Sequence, residues 1–282
     1  MKAVILAGGY ANRLRSVTDN GRIAKTLLPI EAEGKNQPIL YFLLDKIHAI
    51  KDIDEIIVVV NDLYKKQISN ACKNYQSSVK FTIVSDGSNG PEQAKGANYA
   101  ILMANKTIPQ DYEDNVLVMA SDNYFEFDLN EMVDKYDDIS SHVCEPINMV
   151  ISKVYPDSER EYIANNFGIL NLGYDKKINS LDEKPGIENL KTNNVSLAIY
   201  MFNRPDLNKI GEYMEQNKSD KKRRDSLGYF INYTIQNSPT YTYEIDGEFC
   251  DIGTPDEYYK MRPAEIIYDI YYSNSAPLNN KK

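Results

Sequence analysis

The chain has 282 residues, 42% of them hydrophobic and 26% charged, which suits one large α/β domain or two small ones. A formal net charge of −9 argues against a nucleic-acid or anionic-membrane partner, so an anionic substrate must be met by a local basic site. Three scattered cysteines (Cys72, Cys144, Cys250) and two histidines (His48, His142) give neither a zinc spacing nor a disulfide framework.

Lys2-Ala3-Val4-Ile5-Leu6-Ala7 is a short apolar run that passes straight into Gly8-Gly9. A strand running into paired glycines lets the backbone bend sharply and turn its N–H groups toward phosphate oxygens. Arg13 and Lys25 would add full positive charge against a polyphosphate. No glycine follows Gly9 until Gly21, so the dinucleotide spacing fails, and the lysine ending of a P-loop is missing too. There is no leader-like apolar stretch with a cleavage site and no run of membrane-span length, so a reducing cytoplasm is the expected compartment.

Residues 38–50 read as a helix, 54–60 as a strand buried on both faces, 62–75 as a helix and 79–84 as a strand. This alternation predicts a doubly wound α/β sheet with the glycine loop at its carboxyl edge. A turn-rich loop over 86–91 leads into a helical stretch over 92–101, with Gln93, Lys95 and Gly96 near its start. Residues 116–120 form the next buried strand and deliver Asp122, a position where α/β enzymes place metal ligands. Taken alone, Asp122 would serve equally as the N-cap of a following helix. Strands are expected at 149–151 and 167–170. The segment 217–224 reads as a solvated basic loop, 226–235 as a helix and 241–246 as a strand. Thr254-Pro255 has the form of a cap and first residue of a helix. A Tyr- and Ile-rich helix over 263–272 would pack on the chain's own core or on a partner subunit of a homo-oligomer, and the sequence leaves both open.

The ordered set Leu6-Ala7-Gly8-Gly9, Asn12-Arg13-Leu14, Lys25 and Leu28-Pro29-Ile30 resembles the signature of sugar-phosphate nucleotidylyltransferases, the family that includes glucose-1-phosphate thymidylyltransferase. Further along, Asp122-Asn123, Glu183-Lys184-Pro185 and the segment around Asp251-Ile252-Gly253-Thr254-Pro255 resemble that family's later motifs, in the same order. Asn12 stands where the family usually has threonine, Ala24 replaces the proline before the lysine, and Ser121 replaces a glycine. Leu197 and Ala198 stand where relatives have a hydroxyl residue and a glycine.

The resemblance implies a Rossmann-like mixed sheet of the GT-A-like type with a smaller sugar-binding β substructure. It implies one nucleotidyltransferase domain over 1–262, with a nucleotide-binding N-terminal half, a sugar-phosphate part over roughly 146–205, and a separate tail over 263–282. The implied reaction is transfer of a nucleotidyl group from a nucleoside triphosphate to a sugar 1-phosphate with release of pyrophosphate, dTTP and glucose 1-phosphate being the leading pair. Implied roles are catalytic for Arg13, Lys25, Asp122, Lys184 and Asp251, with Mg²⁺ on Asp122 and Asp251. Leu6, Ala7, Gly8, Gly9, Arg13, Gln93, Gly96 and Asp122 would bind the nucleotide. Gly168, Glu183, Lys184 and Ser196 would bind the sugar phosphate. Alternatives are a cytidylyl- or uridylyltransferase acting on another phosphate, a catalytically silent regulatory homologue, or a metal-dependent glycosyltransferase. Asp122-Asn123-Tyr124 standing where those enzymes carry Asp-x-Asp counts against the last.

Overall fold

The computed structural model describes residues 1–263, so the helix expected over 263–272 lies outside the described residues apart from Pro263. β1 (Lys2–Ala7) is followed by a small antiparallel hairpin, β2 (Pro29–Ala32) with β3 (Lys35–Pro38). Helices and strands then alternate: α1 (Ile39–His48), β4 (Glu55–Val60), α2 (Lys65–Asn74), β5 (Lys80–Ser85), α3 (Ala97–Asn105) and β6 (Val116–Ala120). β4 pairs in parallel with β1 and β5, and β6 pairs in parallel with the other side of β1. β4 is buried along its whole length, as its run of Ile and Val requires of a central parallel strand.

The second half adds β7 (Asn123–Phe125), α4 (Leu129–His142), β8 (Asn148–Val154), α5 (Arg160–Asn166), β9 (Gly168–Leu172), β10 (Ile178–Glu183) and β11 (Asn194–Phe202). β11 runs antiparallel to β6 through its C-terminal half and to β9 through its N-terminal half. Its register against β8 shifts between Ser196 and Tyr200, where Ala198 takes a φ of 55°, and this bulge lets one strand serve two neighbours. The chain closes with α6 (Arg204–Asn208), α7 (Ile210–Gln216), α8 (Lys221–Asp225), α9 (Leu227–Ile235), β12 (Thr240–Glu244), β13 (Phe249–Asp251) and α10 (Pro255–Met261). Among the described residues the main sheet has nine strands, in the order β10-β9-β11-β6-β1-β4-β5, with β8 on β11 and β12 on β8. This is the mixed sheet that the resemblance implies.

Alternation along the strands splits the core in two. Ala3, Ile5, Ile56, Val58, Leu117 and Met119 face α1, α2 and α4. Val4, Ile57, Val59, Val116 and Val118 face α3, α7 and α9. Helices on both faces of the sheet are the doubly wound arrangement. A third, smaller cluster of Leu14, Leu28, Ile30, Tyr124, Ile252 and Tyr258 ties the residues after β1 to those after β13.

Three local readings differ from expectation. The stretch 217–224 is not all loop: Lys221–Asp225 is helical, because the Asp220 side chain accepts from the Arg223 N–H at 3.0 Å. The helix expected from residue 92 starts at Ala97, since a separate 3-10 turn spans Pro91–Gln93 and Gly96, at a φ of 88°, is the non-helical residue before the helix. The helix expected from residue 62 starts at Lys65, after a turn in which the Asn61 side chain accepts from the Tyr64 N–H at 2.9 Å.

Candidate active site

Because β1, β4, β5 and β6 are parallel, the residues just beyond them share one edge of the sheet: Gly8, Asn61, Asp86 and Asp122. Past β6 the chain enters β7 rather than a helix, so Asp122 does not act as an N-cap. β7 pairs antiparallel with β13, setting Asn123 opposite Asp251, and the Ile252 N–H donates to the Asp122 carbonyl at 2.9 Å. Two aspartates far apart in sequence are thereby fixed side by side. Ile252 is fully buried in the third cluster, and Thr254 caps α10 directly behind it by accepting from the Glu257 N–H at 3.3 Å.

Three basic side chains converge on that pair. Lys25, from the 3-10 turn Lys25–Leu27, donates to the Asp122 carboxylate and forms an ion pair with it. Arg13 comes from the turn Asn12–Leu14, whose preceding residue Ala11 sits in the left-handed region. Arg13 and Asp251 together crowd Gly253, where a methyl group would lie 2.9 Å from Arg13 Nη2 and 3.3 Å from Asp251 Oδ1. Burial and then the negative charge of Asp122 push the Asp251 carboxyl up to about 6, while Lys25, Arg13 and Lys184 pull it back. A carboxylate made reluctant to ionise by a second carboxylate marks a place that would welcome added positive charge.

Glu183, Gly168 and Ser196 lie at one level across β10, β9 and β11. Ser196 Oγ is 3.1 Å from the Tyr200 hydroxyl. Burial raises the Glu183 pKa, opposed by Lys184, by the Gly228 N–H that its carboxylate accepts, and by Lys222. Gly228 lies in the first turn of α9, and a methyl group there would overlap Glu183 Oε2. Glu183 is thus held by a helix N-terminus at the rim of the site.

The remaining nucleotide-binding candidates divide. Leu6 and Ala7 end β1 against the core, and Gly9 faces open space. Gln93 accepts from the Asn89 N–H at 3.0 Å. The gap opened by Gly96 is filled by α8, where a methyl group would sit 2.7 Å from Asp225 Cα. Both are engaged by the chain itself. Of the two replacements in β11, Leu197 packs fully into the first core cluster, so its side chain faces away from the row at Ser196. Ala198 takes a left-handed backbone, with a φ of 55°.

Several contacts at this edge lie beyond the sequence reading, which has Asn123 only as part of a motif. Asn123 donates to the Leu197 carbonyl at 3.0 Å and so joins the aspartate pair to the β11 bulge. Asn61 donates to the Gly8 carbonyl at 3.0 Å. The Tyr10 hydroxyl donates to Ser88 Oγ at 2.7 Å and accepts from the Gly90 N–H at 3.0 Å, pinning the glycine loop to the loop after β5. Asn61 and Asp86 follow parallel strands as Asp122 does, and the signal that marked Asp122 would have marked them.

A family model described as nucleotidyl transferase matches residues 2–266. The bifunctional protein GlmU of Methanocaldococcus jannaschii is 30% identical over 258 residues, covering 90% of this chain and 52% of that protein. The chain thus spans about half the length of that relative. A Bacillus anthracis structure assigned as a glucose-1-phosphate thymidylyltransferase aligns with a TM-score of 0.72 at 21% identity, covering 92% of this chain and 93% of that one. UDP-glucose pyrophosphorylase in complex with UDP-glucose aligns with a TM-score of 0.73 at 16% identity, covering 92% and 95%. At such identities the structural likeness establishes the fold. The family match over nearly the whole chain, on a sheet whose carboxyl edge gathers Arg13, Lys25, Asp122, Lys184 and Asp251, makes this protein a member of the nucleotidyl transferase family.

Proposed function

We propose that the chain transfers a nucleotidyl group from a nucleoside triphosphate to a sugar 1-phosphate, releasing pyrophosphate. The observation that carries this reading is the convergence of Arg13, Lys25 and Lys184 on the Asp122–Asp251 pair, from separate parts of the chain. A phosphate monoester is already a nucleophile near neutral pH, so the site needs no histidine base. Catalysis is positioning and charge stabilisation. Lys184 orients the attacking phosphate, with Glu183, Gly168 and Ser196 lining the sugar side. Arg13 and Lys25 hold the triphosphate and meet the charge that builds on the departing pyrophosphate. The N-terminal half holds the nucleotide and residues 146–205 the sugar phosphate.

Asp122 and Asp251 would hold Mg²⁺. Two carboxylates suit an ion that takes one or two protein oxygens and leaves its other positions to water and substrate phosphate. Among the described residues no group of three or more His, Cys, Asp or Glu side chains forms a protein-only cage. When bound, the ion supplies Lewis-acid charge at the phosphoryl oxygens. No described helix is long and apolar enough to cross a membrane, and the scattered cysteines fit a reducing cytoplasm.

The resemblance nominates dTTP with glucose 1-phosphate, and the UDP-glucose enzyme on the same fold nominates UTP equally. Pyrophosphate release, measured with Mg²⁺ for dTTP, UTP, CTP, GTP and ATP against a panel of sugar 1-phosphates, tests the reading. Turnover with one pair, reduced about 10²- to 10³-fold or more by Asp122→Ala or Asp251→Ala, is the expected result. Silence with every pair, in protein that remains folded, would overturn it.

A further inference from the structure

We propose that the protein binds a small anion, with a single monophosphate or carboxylate head, in a cleft at the end of the sheet opposite the active site, and that Arg204 anchors it. This does not rest on the transferase reading.

The cleft has a volume of about 550 Å³, within the range of small-molecule sites. Two neighbouring strands bring its key residues together. Asn115 immediately precedes β6, and Arg204 follows β11, whose last residue, Phe202, pairs with Val116. Asp122 lies past the other end of β6. At about 3.3 Å per residue, roughly 20 Å separates this cleft from the aspartate pair. Arg204 is only 4% exposed. Its Nη1 donates to Asn105 Oδ1 and its Nη2 to the Pro109 carbonyl at 3.4 Å, while Nε has no partner among the described residues. Both acceptors are neutral, and no carboxylate among the described residues pairs with the guanidinium. Burial accordingly pulls its pKa down. A buried positive charge without a counter-charge is costly, and a bound anion relieves that cost.

The side chains beside Arg204 have spent their acceptors and kept their donors. Asn115 Oδ1 accepts from the Tyr136 hydroxyl at 2.9 Å, and Asn208 Oδ1 accepts from the Asn105 amide at 3.4 Å. The NH₂ group of each has no acceptor among the described residues, and both residues line the cleft. A guanidinium with two amide donors is a set that an oxyanion accepts from. The edge of the cleft sets the size of the charge. Glu113 and Asp137 line it and are exposed, so a polyanion such as a triphosphate is repelled where a single anionic head is tolerated. A net charge of −9 gives anions no general attraction, so whatever is held here is held by the site itself. A mere clamp between α6 and the residues after α3 accounts for the two bonds that Arg204 makes, but not for the donors left over, and it predicts no ligand.

Binding is measured by isothermal titration at low ionic strength, with inorganic phosphate and lactate as separate probes. The protein carries Lys25→Ala and Lys184→Ala, so that the active site does not compete for anions. One equivalent of at least one probe should bind, with a Kd of about 1 mM or tighter. Tighter binding of phosphate assigns the site to monophosphates, and tighter binding of lactate assigns it to carboxylates. Pyrophosphate should bind less tightly than phosphate. Arg204→Gln, added to that background, removes the charge and should weaken binding about 10-fold or more. Ser140→Trp, on α4, fills the cleft without removing a charge and should do the same, so the result stands even where Arg204→Gln fails to fold. Asp137→Asn removes a repelling neighbour and should tighten binding about 2- to 5-fold, an effect that a clamp does not predict. Neither probe binding to folded protein at up to about 10 mM overturns the inference. So does binding that neither Arg204→Gln nor Ser140→Trp weakens, or binding that Asp137→Asn weakens. Failure of the transferase reading would leave this site standing, and failure of this site would leave the transferase reading standing.

Discussion

At the scale of single residues, the site depends on a few places where backbone and side chain leave no slack. Ala198 holds a φ of 55° inside a strand, a left-handed backbone that strains any side chain and a β-branched one most. Ala198→Val should therefore destabilise the protein by about 1–3 kcal/mol, read from the denaturant midpoint, whereas Ala198→Gly should stay within about 1 kcal/mol of wild type. Gly228 gives a second case. A methyl group there would overlap the Glu183 carboxylate and come 2.5 Å from Leu181 Cδ2, so the neighbours must move. Gly228→Ala should cost about 1–3 kcal/mol and raise the KM for sugar 1-phosphate more than that for the nucleotide, because Glu183 lies in the sugar row. The motif residues Arg13, Lys25, Asp122 and Asp251 were legible in the sequence because each carries its chemistry in its own side chain. Asn61 and Tyr10 were not, because their importance lies in which carbonyl is held and which loop is pinned.

At the scale of elements, short pieces of structure hold the paired aspartates. β7 and β13 have three residues each, too few to persist alone, yet their pairing sets Asp122 against Asp251. What holds β13 is the capped start of α10 and the buried Ile252 and Tyr258. Thr254→Ala removes the acceptor for the Glu257 N–H. It should lower stability by about 1 kcal/mol and the thermal midpoint by roughly 2–4 °C. Turnover should fall with it, as Asp251 loses its fixed position, and a variant with lowered midpoint but full activity would show that α10 does not position the aspartate. The cap at Thr254 and Pro255 was readable in advance because N-capping is local chemistry. The pairing of β7 with β13 was not, because a three-residue strand has no periodicity to detect.

At the scale of the whole molecule, the parallel strands are fastened electrostatically at the end opposite the site. Lys2 on β1 and Lys80 on β5 flank Glu55 on β4, at 2.9 and 2.6 Å, and Thr82 also donates to it at 2.5 Å. Burial works against the Glu55 charge, but Lys80, Thr82 and Lys2 outweigh it and bring the carboxyl down to about 2. A depressed carboxyl stabilises the fold above its unfolded value, near 4.3, and that contribution is lost as pH falls toward about 2. With Lys80 largely exposed, Glu55→Gln should lower stability near neutrality by about 1–2 kcal/mol and flatten the fall in stability between roughly pH 4.5 and 2, as acid titration of unfolding would record. Taken alone, the sequence determined the alternation of helices and strands from α1 to β6, the central buried strands and the charged motif residues. Those follow from hydrophobic period, capping and side-chain chemistry, which act over a few residues. Only the tertiary structure decided that β11 bends between two neighbours, that Gly96 and Gln93 are engaged within the chain, and that Asp86 Oδ2 turns toward Gly8. Each of these depends on which distant segment arrives alongside, a fact fixed by strand register and core packing rather than by any local pattern.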